Sequence, residues 1–389
     1  MFAWIGCHAG QSVATTDKAP DHVQPGAWQT EAYFPMLEDK SFGIVCNHTS
    51  TIGFTHLVDT LLRAGLKPDK IFAPEHGFRG DLPDGQFFGN RQDPVTKLEI
   101  ISLHGKNKKP TREDLSGLDV LVFDIQDVGV RCYTYLSTLH YIMEAGAELG
   151  IPVLVLDRPN PNGHFVDGPV LDTTYRSFVG MHPVPFVYGM TIGEYARMIN
   201  GEGWLAEGVK CDLTVIPLQQ YDRYELIDLP EPPSPNLPNM RAVFLYPSLC
   251  FFEGTSFSIG RGTEYPFQLI GHPDNTAGQT YFMPVSRPES TYPPQQNRQC
   301  RGWDLSDLSP RAIHDTARIQ LHYLLDAYQS LPDKEKFFLS NNYLDKLAGS
   351  SSLREQIGRG LSEGDIRDTW KEGLDRFRGI RARYILYPD

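Results

Sequence analysis

Glu75 follows the apolar Phe72-Ala73-Pro74 and precedes His76-Gly77-Phe78-Arg79-Gly80. Apolar neighbours disfavour a charged carboxylate and raise its pKa, which is what a general acid needs near neutral pH. The competing role is an ion pair with Arg79, four residues on, or with another arginine, because ion pairs also perturb titration. His76 points away from its neighbour and is a candidate substrate contact. A second acidic group lies in Phe123-Asp124-Ile125-Gln126-Asp127-Val128-Gly129-Val130-Arg131. Alternate residues of an extended chain share a face, so Asp124 and Gln126 project together, while Asp127 opens the turn at Gly129. Either aspartate can act as a second carboxylate beside a general acid, orienting water or supporting a polar group of a substrate, the pairing that glycosidases among other hydrolases use. Either can equally brace Arg131, since buried acids are generally paired.

The second half carries Phe251-Phe252-Glu253-Gly254-Thr255-Ser256-Phe257-Ser258-Ile259-Gly260-Arg261-Gly262-Thr263. Glycines around Arg261 give a tight loop that presents the guanidinium from uncrowded backbone, suited to gripping a carboxylate with two hydrogen bonds. Glu253 is a second catalytic carboxylate, a substrate contact or the ordinary partner of Arg261. The glycine spacing fits neither the dinucleotide fingerprint nor the phosphate loop. Tyr133 and Tyr135, at a helix start, suit sugar stacking or packing.

These residues need a frame that brings them together. From about residue 42 short β-branched runs alternate with amphipathic stretches, the pattern of a parallel sheet covered by helices on both faces. Strands are expected at Phe42–Cys46, Ile71–Ala73, Leu98–Leu103, Val120–Ile125, Pro152–Leu156, Val184–Tyr188 and Leu213–Pro217, with helices at Thr55–Ala64, from Thr111, Thr134–Leu149 and Thr191–Asn200. In such a sheet ligands lie beyond the carboxyl ends of the strands. Asn47, Glu75, His76, Asp124, Gln126, Asp127, Asp157 and Asn160 all stand at or just after apolar runs, so four strand ends send polar groups to one edge. Five prolines within Leu229–Pro238 forbid helix or central strand there and mark a boundary. The expected division is a loose segment 1–30, a Rossmann-like α/β domain 31–230 and a smaller α+β domain 231–389. That last part is expected to hold strands near Ala242–Leu245, Phe267–Ile270, Tyr281–Val285 and Ala382–Tyr387, and helices near Ala312–Leu331 and Ser352–Ile357.

Composition narrows the classes. The 389 residues carry 36 Lys and Arg against 48 Asp and Glu, scattered, for a net charge of −12. A nucleic-acid partner, which demands a basic footprint, is not expected. No apolar run approaches the ~20 residues of a membrane span. Six widely spaced cysteines lack the C-x-x-C pairing of a zinc or redox site, and no metal or cofactor is expected. Met1-Phe2-Ala3-Trp4-Ile5-Gly6-Cys7 reads either as a frayed terminus or as the remnant of a bacterial lipoprotein signal with an anchor at Cys7.

Asn47-His48-Thr49, Pro74-Glu75-His76-Gly77-Phe78-Arg79-Gly80, the Phe123–Gly129 run, Asp157-Arg158-Pro159-Asn160-Pro161, and Glu253-Gly254-Thr255 with Gly260-Arg261-Gly262-Thr263 together resemble the exo-β-N-acetylmuramidase family. The resemblance implies a Rossmann-like catalytic domain, a smaller auxiliary domain and a cleft between them. It also implies cofactor-free release of N-acetylmuramic acid (MurNAc) from the non-reducing end of MurNAc-β-1,4-GlcNAc chains, with the catalytic glutamate at Glu75. Arg261 then reads the lactyl carboxylate that distinguishes muramic acid. A peptidoglycan substrate favours an envelope or secreted location. The rivals are a non-catalytic peptidoglycan-binding protein and a nucleotide-cofactor Rossmann enzyme, the latter disfavoured because Asn47-His48-Thr49-Ser50 stands where its glycines belong.

Overall fold

The computed structural model describes residues 23–75, 77–79 and 89–389. Its central sheet contains β1 (Phe42–Cys46), β4 (Lys70–Ala73), β5 (Arg91–Gln92), β6 (Glu99–Ser102), β7 (Val120–Asp124), β8 (Val153–Leu156) and β9 (Leu213–Ile216). The short β2 (Thr51–Ile52) and β3 (Thr55–His56) form a separate hairpin. The sheet order is β5-β6-β4-β1-β7-β8-β9, parallel throughout except for the edge strand β5. The chain therefore moves outward from β1 on one side, then returns to lay β7 against its other flank.

Alternate strand residues enter two cores, as a period of two dictates. Val45, Phe72, Ile101, Phe123 and Val155 pack under α3 (Tyr135–Leu149) and α4 (Ile192–Gly201). Ile44, Ile71, Ile100, Val122 and Leu154 pack under α1 (Thr30–Leu37) and α2 (Leu57–Arg63). Each fully buried side chain of this size contributes about 1.5–3 kcal/mol, so the register is strongly fixed. Gly150 ends α3 in the left-handed conformation at φ 70°, and a reciprocal capping box between Thr191 and Glu194 starts α4.

Beyond residue 240 the chain forms α5 (Met240–Leu249), an antiparallel sheet of β10 (Leu269–His272), β12 (Cys300–Asp304) and β11 (Thr280–Phe282), and the helices α6 (Pro310–His314), α7 (His322–Ser330), α8 (Tyr343–Ala348), α9 (Ser352–Gly358), α10 (Glu363–Asp368) and α11 (Lys371–Arg381). The architecture is the α/β sheet with a smaller mixed region that the sequence predicts. The core of this region also takes in Val128, Val130, Cys132, Phe186 and Val187 from the first half, so the two parts share buried surface.

Several elements differ from expectation. Ala242–Leu245 lies inside α5, where Asn239 caps the helix by accepting from Ala242 N at 3.0 Å. The apolar run alone reads as a strand because a buried helix segment has the same signature. Val184–Tyr188 forms only isolated bridges of Val187 with Val130 and Asp167. The segment from Thr111 is a series of turns, with Asp114 accepting from Thr111 N at 2.8 Å. The helix expected over 312–331 is interrupted between α6 and α7, where Ala317 has φ 46°. Ala382–Tyr387 is no strand, because the amides of Leu386 and Tyr387 donate to Glu194 at 2.8 and 3.3 Å rather than to a neighbouring ladder. Residues 24–28, grouped with the loose N-terminal segment, are packed: Gln24 pairs with Gln219, Gly26 N donates to Asp157 O at 2.8 Å, and Ala27 is fully buried. Cys7 lies outside the described residues.

Candidate active site

The crevice of an open α/β sheet opens where the strand order reverses, here between β1 and β7. It is filled by protein. Asn47 Oδ1 accepts from Thr49 N at 3.0 Å and Thr49 Oγ1 at 2.6 Å, and Gln126 N donates to Thr49 Oγ1 at 3.1 Å. Ser50 Oγ donates to the carbonyl of Asp124. Gln126 Nε2 donates to the carbonyls of Asp127 and Pro159 at 2.7 and 2.6 Å, and Asn160 Nδ2 to that of Met190 at 2.8 Å. Asn47, Gln126 and Asn160 were expected to touch substrate; they are buried and hold the strand-end loops to one another.

Asp124 is fully buried and grips Arg158 with both oxygens, at 2.5 and 2.8 Å, away from any opening. Its expected place as a catalytic carboxylate gives way to that pair, in which the acid balances a guanidinium that no solvent reaches. Asp127 is buried too. Its Oδ2 accepts from Gly129 N at 2.8 Å and from the Tyr188 hydroxyl, and burial pushes its carboxyl up to about 6. Neither aspartate braces Arg131, which donates to the carbonyls of Pro169, Val184 and Leu347.

The opening lies further out, a cavity of about 320 Å³. One wall comes from the sheet: Glu75 in the turn after β4, and Tyr133, Thr134 and Tyr135 where α3 begins. Asn47 Nδ2 reaches the Tyr135 hydroxyl at 3.0 Å from behind, so the strand-end network positions that ring. The opposite wall comes from Ser234, Asn236 and Leu237 of the proline-rich loop, Tyr246 of α5, Glu253, Arg261 and Phe267, with Tyr343 and Leu347 of α8. Glu75, Tyr133, Tyr135, Glu253 and Arg261, five of the residues singled out in sequence, thus share one cavity. His76 is not among the described residues.

Glu75 is half-buried in a turn closed by Gly77 N donating to Pro74 O at 3.0 Å. Arg79 turns elsewhere: it meets Asp93 at 3.1 Å and Asp59 at 3.6 Å and lies over the Phe78 ring. The Arg261 loop is shaped by Gly260 and Gly262, at φ 81° and 77°. A Cβ at Gly260 would stand 2.3 Å from Tyr265 O, and one at Gly262 2.5 Å from Val285 O. Arg261 donates to Glu253 Oε1 at 2.6 Å and lies 5.4 Å from the centre of the Phe267 ring. Tyr133 donates its hydroxyl to Pro233 O at 2.6 Å and meets Tyr135 and Tyr246 edge-on, and burial raises its phenol well above the usual range. The cavity therefore pairs carboxylates and a guanidinium with aromatic edges, a lining suited to an anionic sugar. Sequence reasoning missed Ser234 and Asn236, because five prolines read as a linker, and Tyr343, which stands in an unremarkable helix. The proline run was itself the available signal: it fixes backbone, and Pro232 and Pro233 carbonyls engage His48 and Tyr133.

Residues 42–241 match the N-terminal domain, and residues 244–387 the C-terminal domain, of the exo-beta-N-acetylmuramidase NamZ family. The peptidoglycan beta-N-acetylmuramidase NamZ of Bacillus subtilis is 37% identical over 373 residues, covering 91% of this chain and 89% of that one. A crystal structure of a DUF1343 family protein from Bacteroides fragilis superposes with a TM-score of 0.88 at 46% identity, over 95% of this chain and 99% of that one. A second such protein from the same organism gives a TM-score of 0.78 at 29% identity, over 94% and 99%.

Proposed function

The chain belongs to the NamZ exo-beta-N-acetylmuramidase family, and from that membership we propose that it hydrolyses peptidoglycan fragments, releasing MurNAc from their non-reducing ends. The observation that carries the reading is the meeting of Glu75 with Arg261 in one cavity walled by both halves of the chain. Glu75 gives its proton to the glycosidic oxygen as the bond to the leaving sugar breaks. Arg261 takes the lactyl carboxylate, and Glu253 holds the guanidinium in the required direction. Tyr133 and Tyr135 offer ring surface to the apolar face of the sugar. Because the substrate is cell-wall material, the reading carries an envelope or secreted location with it, which fractionation of the producing cells checks.

The test is incubation with MurNAc-β-1,4-GlcNAc, followed by detection of free MurNAc. Glu75→Gln is expected to lower turnover by about 10²–10⁴-fold, the contribution of a general acid, while leaving the melting temperature and the binding of the disaccharide in place. Near-normal turnover in that variant would overturn the assignment of Glu75. Binding without hydrolysis by the unaltered protein would favour a peptidoglycan-binding role.

A further inference from the structure

Glu253, Arg261 and Tyr343 line a second cavity as well as the first, so the two adjoin along a common wall. The second measures about 460 Å³. Its lining mixes apolar surface from Phe257, Ile259 and Leu339 with the polar groups of Ser256 and Gln295. Gln295 is fixed, donating to Ser256 O at 2.6 Å and accepting from Arg298 at 2.7 Å. Ser256 Oγ is buried and has no hydrogen-bond partner. A buried hydroxyl without a partner is unfavourable, and a polar ligand in the cavity would supply the missing hydrogen bond.

The outer edge is formed by the segment that leads into Pro294 and Gln295. Val285 N donates to Gly262 O at 2.9 Å, and Asn236 Nδ2, on the first cavity's wall, donates to Glu289 O at 3.3 Å. The turn between them is thus tied to both sides of the candidate site. Tyr292, at its end, is 88% exposed. It stands two positions before Pro294 of the lining, and an exposed aromatic ring offers contact surface.

We propose that the second cavity holds the sugar units that follow the terminal residue of a glycan strand, with Tyr292 as an outer stacking platform. The inference rests on the hydrolase reading of the first cavity and adds to it a binding track for polymer. Apolar surface with a few fixed polar groups suits hexosamines, whose ring faces are apolar and whose edges carry hydroxyl and acetamido groups. A strand whose terminal sugar sits in the first cavity would pass Arg261 and Tyr343, which line both, to reach the second.

The test compares two substrates, the aryl glycoside 4-nitrophenyl β-N-acetylmuraminide and a tetrasaccharide of alternating MurNAc and GlcNAc. Leu339→Trp, which fills the second cavity from a half-buried position, is expected to lower kcat/KM on the tetrasaccharide about tenfold, the equivalent of ~1.4 kcal/mol, with little change on the aryl glycoside. Ser256→Ala, which adds no bulk and cannot overpack the fold, is expected to cost about threefold on the tetrasaccharide alone, in the range of a single hydrogen bond. Equal losses on both substrates, or none on either, overturn the proposal. Should the unaltered protein cleave neither substrate, the hydrolase reading falls; calorimetric binding of the tetrasaccharide to Glu75→Gln protein, with and without Leu339→Trp, then decides the subsite by itself. Affinity undiminished by the added tryptophan overturns it.

Discussion

Asp157 shows how far a buried acid can be recruited to structure. Its Oδ1 accepts from Arg158 N at 3.0 Å and Gly193 N at 2.7 Å, and its Oδ2 from Thr191 Oγ1 at 2.7 Å and the Tyr387 hydroxyl at 2.6 Å. Burial nevertheless pushes its carboxyl up from 3.8 to about 7. The folded state therefore holds this proton more tightly than the unfolded state, and the associated stability is full below about pH 4 and lost as the pH rises through about 7. The difference in unfolding free energy between the unaltered protein and Asp157→Asn should accordingly shrink from pH 5 to pH 8, as read from urea midpoints. A difference that stayed constant over this interval would show the group to be ionised in the fold throughout. The same side-chain types explain what could be read in the sequence and what could not. Glu75 and Arg261 were legible as groups lining an opening, because one follows a strand end and the other stands in a glycine-flanked loop. Asn47, Gln126 and Asn160 were not, since an amide at a strand end serves equally to grip substrate or to satisfy backbone, and residue type does not distinguish the two.

At the scale of elements, the loops after β7 and β8 interlock through Gly129. It adopts φ 79°, and a Cβ there would stand 2.3 Å from Asn160 Oδ1. Gly129→Ala is expected to cost about 1–3 kcal/mol from the backbone alone, with further loss from displacing Asn160. Chemical denaturation measures it, and an unchanged midpoint would mean that the two loops separate readily. The parallel strands were readable because each is a short apolar run ended by a polar cluster, and six of the seven strands of the sheet fall on runs marked in the sequence; β5, at the edge, is two residues long and carries no such run. The second half was harder. Helix α5 and the C-terminal segment carry apolar residues in runs too short to separate the two periods, and their conformation is decided by single contacts, the Asn239 cap and the Glu194 carboxylate. The proline-rich segment was marked only as a boundary where neither helix nor central strand persists; the same fixed backbone also forms part of a cavity wall.

At the scale of the whole molecule the two halves share one buried core. Val128, Val130, Cys132, Phe186 and Val187 are buried with the helices of the second half. Arg381 donates to Gly189 O at 2.8 and 2.7 Å, and Tyr387 binds both Asp157 and Leu218 N. A fragment comprising residues 23–241 should therefore fail to reach the native state, giving poor dispersion in a proton-nitrogen correlation spectrum, while residues 23–389 melt in a single calorimetric transition. A well-dispersed spectrum from the fragment would show that the sheet stands without its neighbour. The cavity walls make a further point. Glu75 and Tyr133 face Asn236, Arg261 and Tyr343 across the opening, groups more than 100 and up to 268 positions apart along the chain. Contacts of such long range form late, because ordering the intervening chain must precede them. A chain with its helices formed but this shared core unmade holds every residue of the cavity and no cavity. Recovery of activity on dilution from urea should therefore not run ahead of the return of the shared core, which near-ultraviolet ellipticity reports.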